Sequence, residues 1–116
     1  MIGEFEYLVL AACLRLGDDA YGASIAGLIE EATAKSCSSG ALYLTLDRLE
    51  AKGLVATRMG EATKERGGRA KRIVQITGEG RTAAAEFNRA ISRASQGIQW
   101  EGNGNASHYL VTNASF

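Results

Sequence analysis

Apolar residues recur at helical spacing in four separate stretches of this chain, and between the third and the fourth the pattern changes to that of strands. Residues 4–16 place Phe5, Leu8, Val9, Ala12 and Leu16 on one helical stripe with Cys13 at its edge, and Gly17, Asp18 and Asp19 end the segment. From residue 20 or 21 to about residue 35, Ile25, Leu28, Ile29 and Ala32 repeat the spacing, with Ser24 and Glu31 on the polar side. A junction at 36–38 leads into a third helix that ends at Lys52 and Gly53, glycine being favoured just past a helix end. Within it Leu42, Leu46 and Leu49 must be buried, while Gly40, Tyr43, Leu44 and Asp47 fall on the opposite face. Ser38 or Ser39 can cap its first N–H groups, and Gly40 lets a neighbouring group come close to the backbone. Three helices in the first 53 residues, the last two joined by a tight turn, have the proportions of a helix-turn-helix.

Residues 54–59 and 71–77 are rich in β-branched side chains, and the segment between them is too polar for a core. The expected element is a β-hairpin with a long basic loop, a wing placed directly after the helix-turn-helix. Thr77 can cap a fourth helix running from about Gly80 through Ala83, Phe87, Ala90, Ile91, Ala94 and Ile98. Once the domain is closed, that stripe still wants another helix, which points to a second copy of the chain. The expected fold is therefore mainly α with a small β-hairpin: a winged helix-turn-helix over residues 1–78, a C-terminal dimerisation helix over 79–100 and a tail over 101–116. In the tail, residues 100–105 read as a turn and 108–111 as a short strand or a frayed end.

With 116 residues there is room for one domain, and 46% hydrophobic with 7% aromatic content suits an ordered helical protein. The formal net charge is zero, which taken alone argues against a nucleic-acid partner. Its distribution reverses that reading. Residues 1–20 carry Glu4, Glu6, Asp18 and Asp19 against Arg15, whereas residues 54–75 carry Arg58, Lys64, Arg66, Arg69, Lys71 and Arg72 against Glu61 and Glu65. The apolar run at 7–14 is eight residues long and follows two glutamates, so it is neither a signal peptide nor a membrane span, and a cytoplasmic location is expected. Cys13 and Cys37 have no CxxC spacing and His108 is the one histidine, so neither a metal nor a disulfide framework is expected. Cys37 precedes a helix N-terminus, a place that lowers thiol pKa, although a small residue filling the turn is the favoured reading over a redox sensor. No nucleophile sits with a histidine, no acid/base pair lies in a cleft-forming context and no phosphate loop follows a strand; neither an enzyme nor a cofactor is expected.

Several ordered pieces now converge: Asp19-Ala20-Tyr21-Gly22 with Ile25, then Gly40, Leu42, Tyr43, Leu46, Arg48, Leu49, Glu50, Gly53 and Leu54 on the pattern GxLYxxLxRLExxGL. The basic loop 65–72 and the run Ile76-Thr77-Gly78-Glu79-Gly80 follow in order. Over roughly residues 3–95 this combination closely resembles the small PadR-type transcriptional regulators, a branch of winged-helix DNA-binding proteins. Ser39 and Gly78 stand where family members often have proline, which is favourable but dispensable at a first helical position. The resemblance implies a dimeric repressor on a pseudo-palindromic double-stranded DNA operator. On that reading DNA is contacted by Tyr21, Ser38, Ser39, Gly40, Tyr43, Leu44, Arg48, Lys64, Arg66, Arg69, Lys71 and Arg72. The dimer would form through Leu8, Ala83, Phe87, Ala90, Ile91, Ala94 and Ile98. Two placements stay open: Tyr43 between the DNA and the second helix, and Arg48 between the DNA and a carboxylate near the wing. The short C-terminal region implies a minimal regulator, and a small-molecule effector is left unidentified. The alternative from another class is a winged-helix protein-interaction module that does not touch DNA.

Overall fold

The chain runs through α1 (Glu4–Leu16), a 3-10 turn (Gly17–Asp19), α2 (Gly22–Thr33), α3 (Ser39–Ala51), β1 (Val55–Met59), β2 (Arg72–Ile76) and α4 (Gly78–Ala94). The computed structural model describes residues 1–60 and 71–101. Residues 61–70 of the expected wing loop, residues 102–105 of the turn expected at 100–105 and the strand expected at 108–111 lie outside the described residues. The two strands pair antiparallel, with Val55 opposite Ile76 and Met59 opposite Arg72. The winged helix-turn-helix expected from the hydrophobic pattern is thus the observed fold. Among the described residues no helix is long and apolar enough to cross a membrane.

The core gathers around α1, which touches α2, α3, α4 and β2. Val9, Leu10, Ala12 and Cys13 are all buried there. The single stripe expected for α1 is therefore too narrow: Leu10, left off it, is completely buried, while Phe5, Leu8 and Leu16 are only partly so. A helix wrapped from several directions loses its one-sided pattern. In α2, Ile25 and Ile29 are buried but Ala32 is exposed, because the last turn runs past the core. The three leucines of α3, Leu42, Leu46 and Leu49, are buried as their spacing requires, each contributing about 1.5–3 kcal/mol relative to exposure.

The helix ends follow from local chemistry. Ser38 Oγ accepts from the Ala41 N–H at 3.2 Å and starts α3. Ser24 Oγ accepts from the Tyr21 N–H at 3.0 Å and donates to the Asp19 carbonyl at 2.5 Å, which fixes the start of α2. Thr77 Oγ1 accepts from the Gly80 N–H at 3.0 Å and donates to the Gly53 carbonyl at 2.7 Å. That places the start of α4 at Gly78, two residues before the expected one. Gly80 is there for a steric reason: a Cβ at this position would run into the Leu54 carbonyl oxygen and Ile76. α4 ends at Ala94, where Ser95 Oγ turns back to the Ile91 carbonyl at 2.8 Å, so Ile98, expected within this helix, lies beyond it. Its middle is seated on the body by Tyr7, whose ring stacks on Phe87 at 4.8 Å and whose hydroxyl accepts from Asn88 Nδ2 at 2.9 Å.

Candidate nucleic-acid interface

With three leucines turned inward, α3 presents Ser39, Gly40, Tyr43, Leu44, Asp47 and Arg48 to solvent. Leu44 is 53% exposed and Tyr43 42%, a large apolar and an amphipathic side chain side by side. Among the described residues nothing packs within 4 Å of where a Gly40 Cβ would stand, which leaves the head of the helix open to an approaching surface. The first turn of α3 carries no acidic residue, so its unpaired N–H groups and positive dipole end are available to an anion.

The two readings of Tyr43 left open by the sequence meet in one geometry. Its hydroxyl overhangs Gly22 so closely that a Cβ there would collide with it, which explains the glycine after Tyr21. Tyr43 thus leans on the start of α2 while much of it remains exposed. Tyr21 lies beside it, bridged to Ile73 of β2, and the Val74 N–H donates to the Ala20 carbonyl at 2.9 Å. Lys71 Nζ sits 4.0 Å from the centre of the Tyr21 ring. The fold therefore brings Tyr21, Gly22, Tyr43 and Lys71 to one place beside the head of α3. Sequence reading nominated three of these separately and missed their contact, since it depends on β2 crossing behind the 3-10 turn.

Arg72 is placed differently from a free wing cation. One of its Nη atoms lies 3.2 Å from Asp47 Oδ1 and 3.2 Å from Glu50 Oε1, and Thr57 Oγ1 donates to Glu50 Oε2 at 2.7 Å. The guanidinium faces α3, with the Arg72 side chain 26% exposed. Arg48 is exposed, and its charge is felt at Glu6 near the start of α1. There Glu6 accepts from Lys52 Nζ at 2.7 Å and from the Gly3 N–H at 3.0 Å. The Lys52 hydrogen bond, then the Gly3 N–H, and lastly the charges of Lys52 and Arg48 hold the Glu6 carboxyl below its ordinary range. Lys64, Arg66 and Arg69 of the wing loop lie outside the described residues.

Both thiols are pushed up rather than down. Burial takes Cys13 to about 11, and burial with the Glu30 carboxylate raises Cys37, whose N–H donates to Glu30 Oε2 at 2.8 Å. Burial first, and then the Glu30 carboxylate, disfavour the Cys37 thiolate, which works against a redox-sensing role.

The residues expected at a dimer seam divide into two sets. Leu8, Ala83 and Phe87 pack against this chain's own core and Ala90 is half-buried, while Ile91 is 53% exposed and Ala94 and Ile98 are also exposed. Between α1 and α4 lies an open cleft of about 380 Å³, lined by Tyr7, Ala11, Leu14, Ala84 and Ala85 with Arg81 and Arg89 among its rim residues. No stripe signalled that cleft, because it arises from small alanines on two helices distant in sequence.

Comparison with known proteins agrees with this geometry. The family described as the transcriptional regulator PadR-like family matches residues 10–86. A transcriptional regulator from Clostridium thermocellum superposes with a TM-score of 0.65 at 24% identity, over 78% of this chain and 85% of its own. A PadR-like transcription factor from Bacteroides fragilis gives 0.63 at 22% identity, over 79% and 84%. A PadR family transcription regulator from Clostridium difficile gives 0.62 at 23%, over 80% and 95%. At these identities the structural likeness speaks to the fold. No curated protein matches the chain.

Proposed function

Because this chain belongs to the PadR-like family of transcriptional regulators, we propose that it is a homodimeric repressor that reads a pseudo-palindromic DNA operator through α3. The observation that carries this reading is the head of α3, where Leu44, Tyr43 and Gly40 stand exposed beside a helix N-terminus that carries the Ser38 cap and no acidic residue in its first turn. A helix in the major groove uses this kind of face: small residues for close approach, and an apolar side chain for a thymine methyl. Ser38, Ser39, Gly40, Tyr43 and Leu44 would meet base edges and adjoining phosphates. Tyr21 and Lys71, with Lys64, Arg66 and Arg69 in the wing, would grip the backbone, and Arg48 would sit at the rim. Phosphate contacts of this kind position the protein and carry no sequence information.

The dimer is built on α4, with Ile91, Ala94 and Ile98 meeting their counterparts and Leu8, Ala83, Phe87 and Ala90 backing them. Two-fold symmetry then spaces the half-sites by about one helical turn, near 10 base pairs. Such a regulator works in the cytoplasm, where its operator is. An effector would act by favouring one angle between the two wings, and needs different affinity for the two states.

The test is a titration of the purified protein against fluorescent duplexes from its own upstream region and a scrambled control, at two salt concentrations. Tight, salt-sensitive binding that prefers the upstream duplex supports the reading. Absence of binding to either duplex at low salt would overturn it in favour of a protein-interaction module, with the wing facing an acidic partner.

A further inference from the structure

Among the described residues of the hairpin, Arg72 is the cation whose guanidinium the fold turns onto the recognition helix. Its two acceptors, Asp47 and Glu50, lie three residues apart on α3 and so on one side of it, 3.2 Å from the same nitrogen. Glu50 also takes the Thr57 hydroxyl at 2.7 Å. One carboxylate therefore holds both strands of the hairpin, β1 through Thr57 and β2 through Arg72, against a single face of α3. Elsewhere the wing meets α3 through apolar packing, in which Val55 and Val74 are buried beside Leu46 and Leu49. Apolar packing sets how near the two elements lie but tolerates sliding, whereas three directional bonds between two hairpin and two helix residues fix their register.

We propose that Arg72 is a positioning residue: with Asp47, Glu50 and Thr57 it sets the offset between recognition helix and wing, and thereby the discrimination between operator and other DNA. The inference rests on the DNA-binding reading above. Non-specific affinity follows from the number of phosphates neutralised, and the other wing cations remain to supply that. Specific affinity also requires helix and wing to dock in the same instant, and so depends on their offset. The brace therefore acts on the ratio of the two affinities. It adds little to stability, since partly exposed ion pairs are weak.

A phosphate-gripping Arg72 makes a different prediction for its partners, and this decides the matter. Asp47→Asn and Glu50→Gln remove negative charge from a surface facing DNA, and Glu50→Gln keeps an oxygen for Thr57. If Arg72 were a phosphate contact held back by these carboxylates, both variants would bind every duplex more tightly with an undiminished preference. Loss of a carboxylate charge strengthens binding to any duplex in either case; with Arg72 as a brace the preferred duplex gains less than the scrambled one, and the ratio of the two affinities narrows by roughly tenfold for a misdocked element.

The probes are a duplex recovered from a randomised library with the wild-type protein and a scrambled duplex of equal composition. Asp47→Asn, Glu50→Gln, Arg72→Gln and Arg72→Lys are each titrated over a salt series, with thermal unfolding run alongside. The expected result is a narrowed preference in every variant except the partly rescued Arg72→Lys, an unchanged salt slope on the scrambled duplex, and no further loss when Asp47→Asn and Arg72→Gln are combined. An undiminished preference in the carboxylate variants, or a salt slope lowered by about 0.9 in Arg72→Gln, would overturn the brace and make Arg72 a phosphate contact. Failure of the wild-type protein to select any sequence would instead strike the DNA reading itself, and shows before a variant is made.

Discussion

α1 and α3 are both 13 residues long, yet one is enclosed and the other is displayed. α1 buries adjacent pairs, Val9 with Leu10 and Ala12 with Cys13, because other elements close on it from several directions. α3 buries one stripe and leaves Tyr43 and Leu44 in water. The difference teaches that in this fold the scaffold and the proposed reading surface are separate helices, so a side chain's contribution to stability and to recognition can be pulled apart.

The largest break in that comparison comes from Leu10→Ala, which empties a completely buried site and should lower stability by about 2–5 kcal/mol in chemical denaturation. A loss under about 1 kcal/mol would mean that α1 is less tightly enclosed than it stands here. Next comes Gly80→Ala. Alanine improves helix propensity by about 1 kcal/mol, but its Cβ meets the Leu54 carbonyl, and the overlap should dominate to give a net loss of about 1–3 kcal/mol. A variant more stable than wild type would show that α4 can shift off the hairpin.

Glu6→Gln is smaller, about 0.2–1 kcal/mol at neutral pH, because Lys52 is half in solvent. Since the folded state depresses the Glu6 pKa below its ordinary 4.5, this stabilisation is present above 4.5 and is lost as pH falls through the lowered folded value. Denaturation of wild type and variant should therefore converge in acid, and a gap that persists there would assign the effect to packing. Smallest of all for stability is Leu44→Ala, expected within about 0.5 kcal/mol of wild type. The same variant should weaken binding to the preferred duplex by roughly tenfold, which is the sharpest form of the comparison. Equal losses in stability and binding would show that α3 has no free face.

What could be read from the sequence, and what could not, follows the range of the interactions involved. The leucine stripe of α3, the Ser38 and Thr77 caps and the β-branched strands are local patterns, and each appears where spacing puts it. Leu10 escaped because enclosure by distant elements is not written in a single periodicity. Tyr43 could be assigned to neither face alone, since its resting place is Gly22, and the inward turn of Arg72 depends on residues more than twenty positions away. The apolar stripe of α4 was legible as spacing, but its division into a part used by the body and a part left bare depends on where Tyr7 stacks.

Thr77 is the one residue between β2 and α4, and its hydroxyl is bonded at both ends of the joint. A connector of that length has no slack to bend through. If two copies grip each other by α4, each hairpin is cantilevered from the grip, and the distance between the two wings becomes a property of helix length and not of a flexible linker. Adding or removing one turn of α4 beyond the body would then act like changing the jaw of a caliper, resetting the interval it can measure without touching the parts that make the contact.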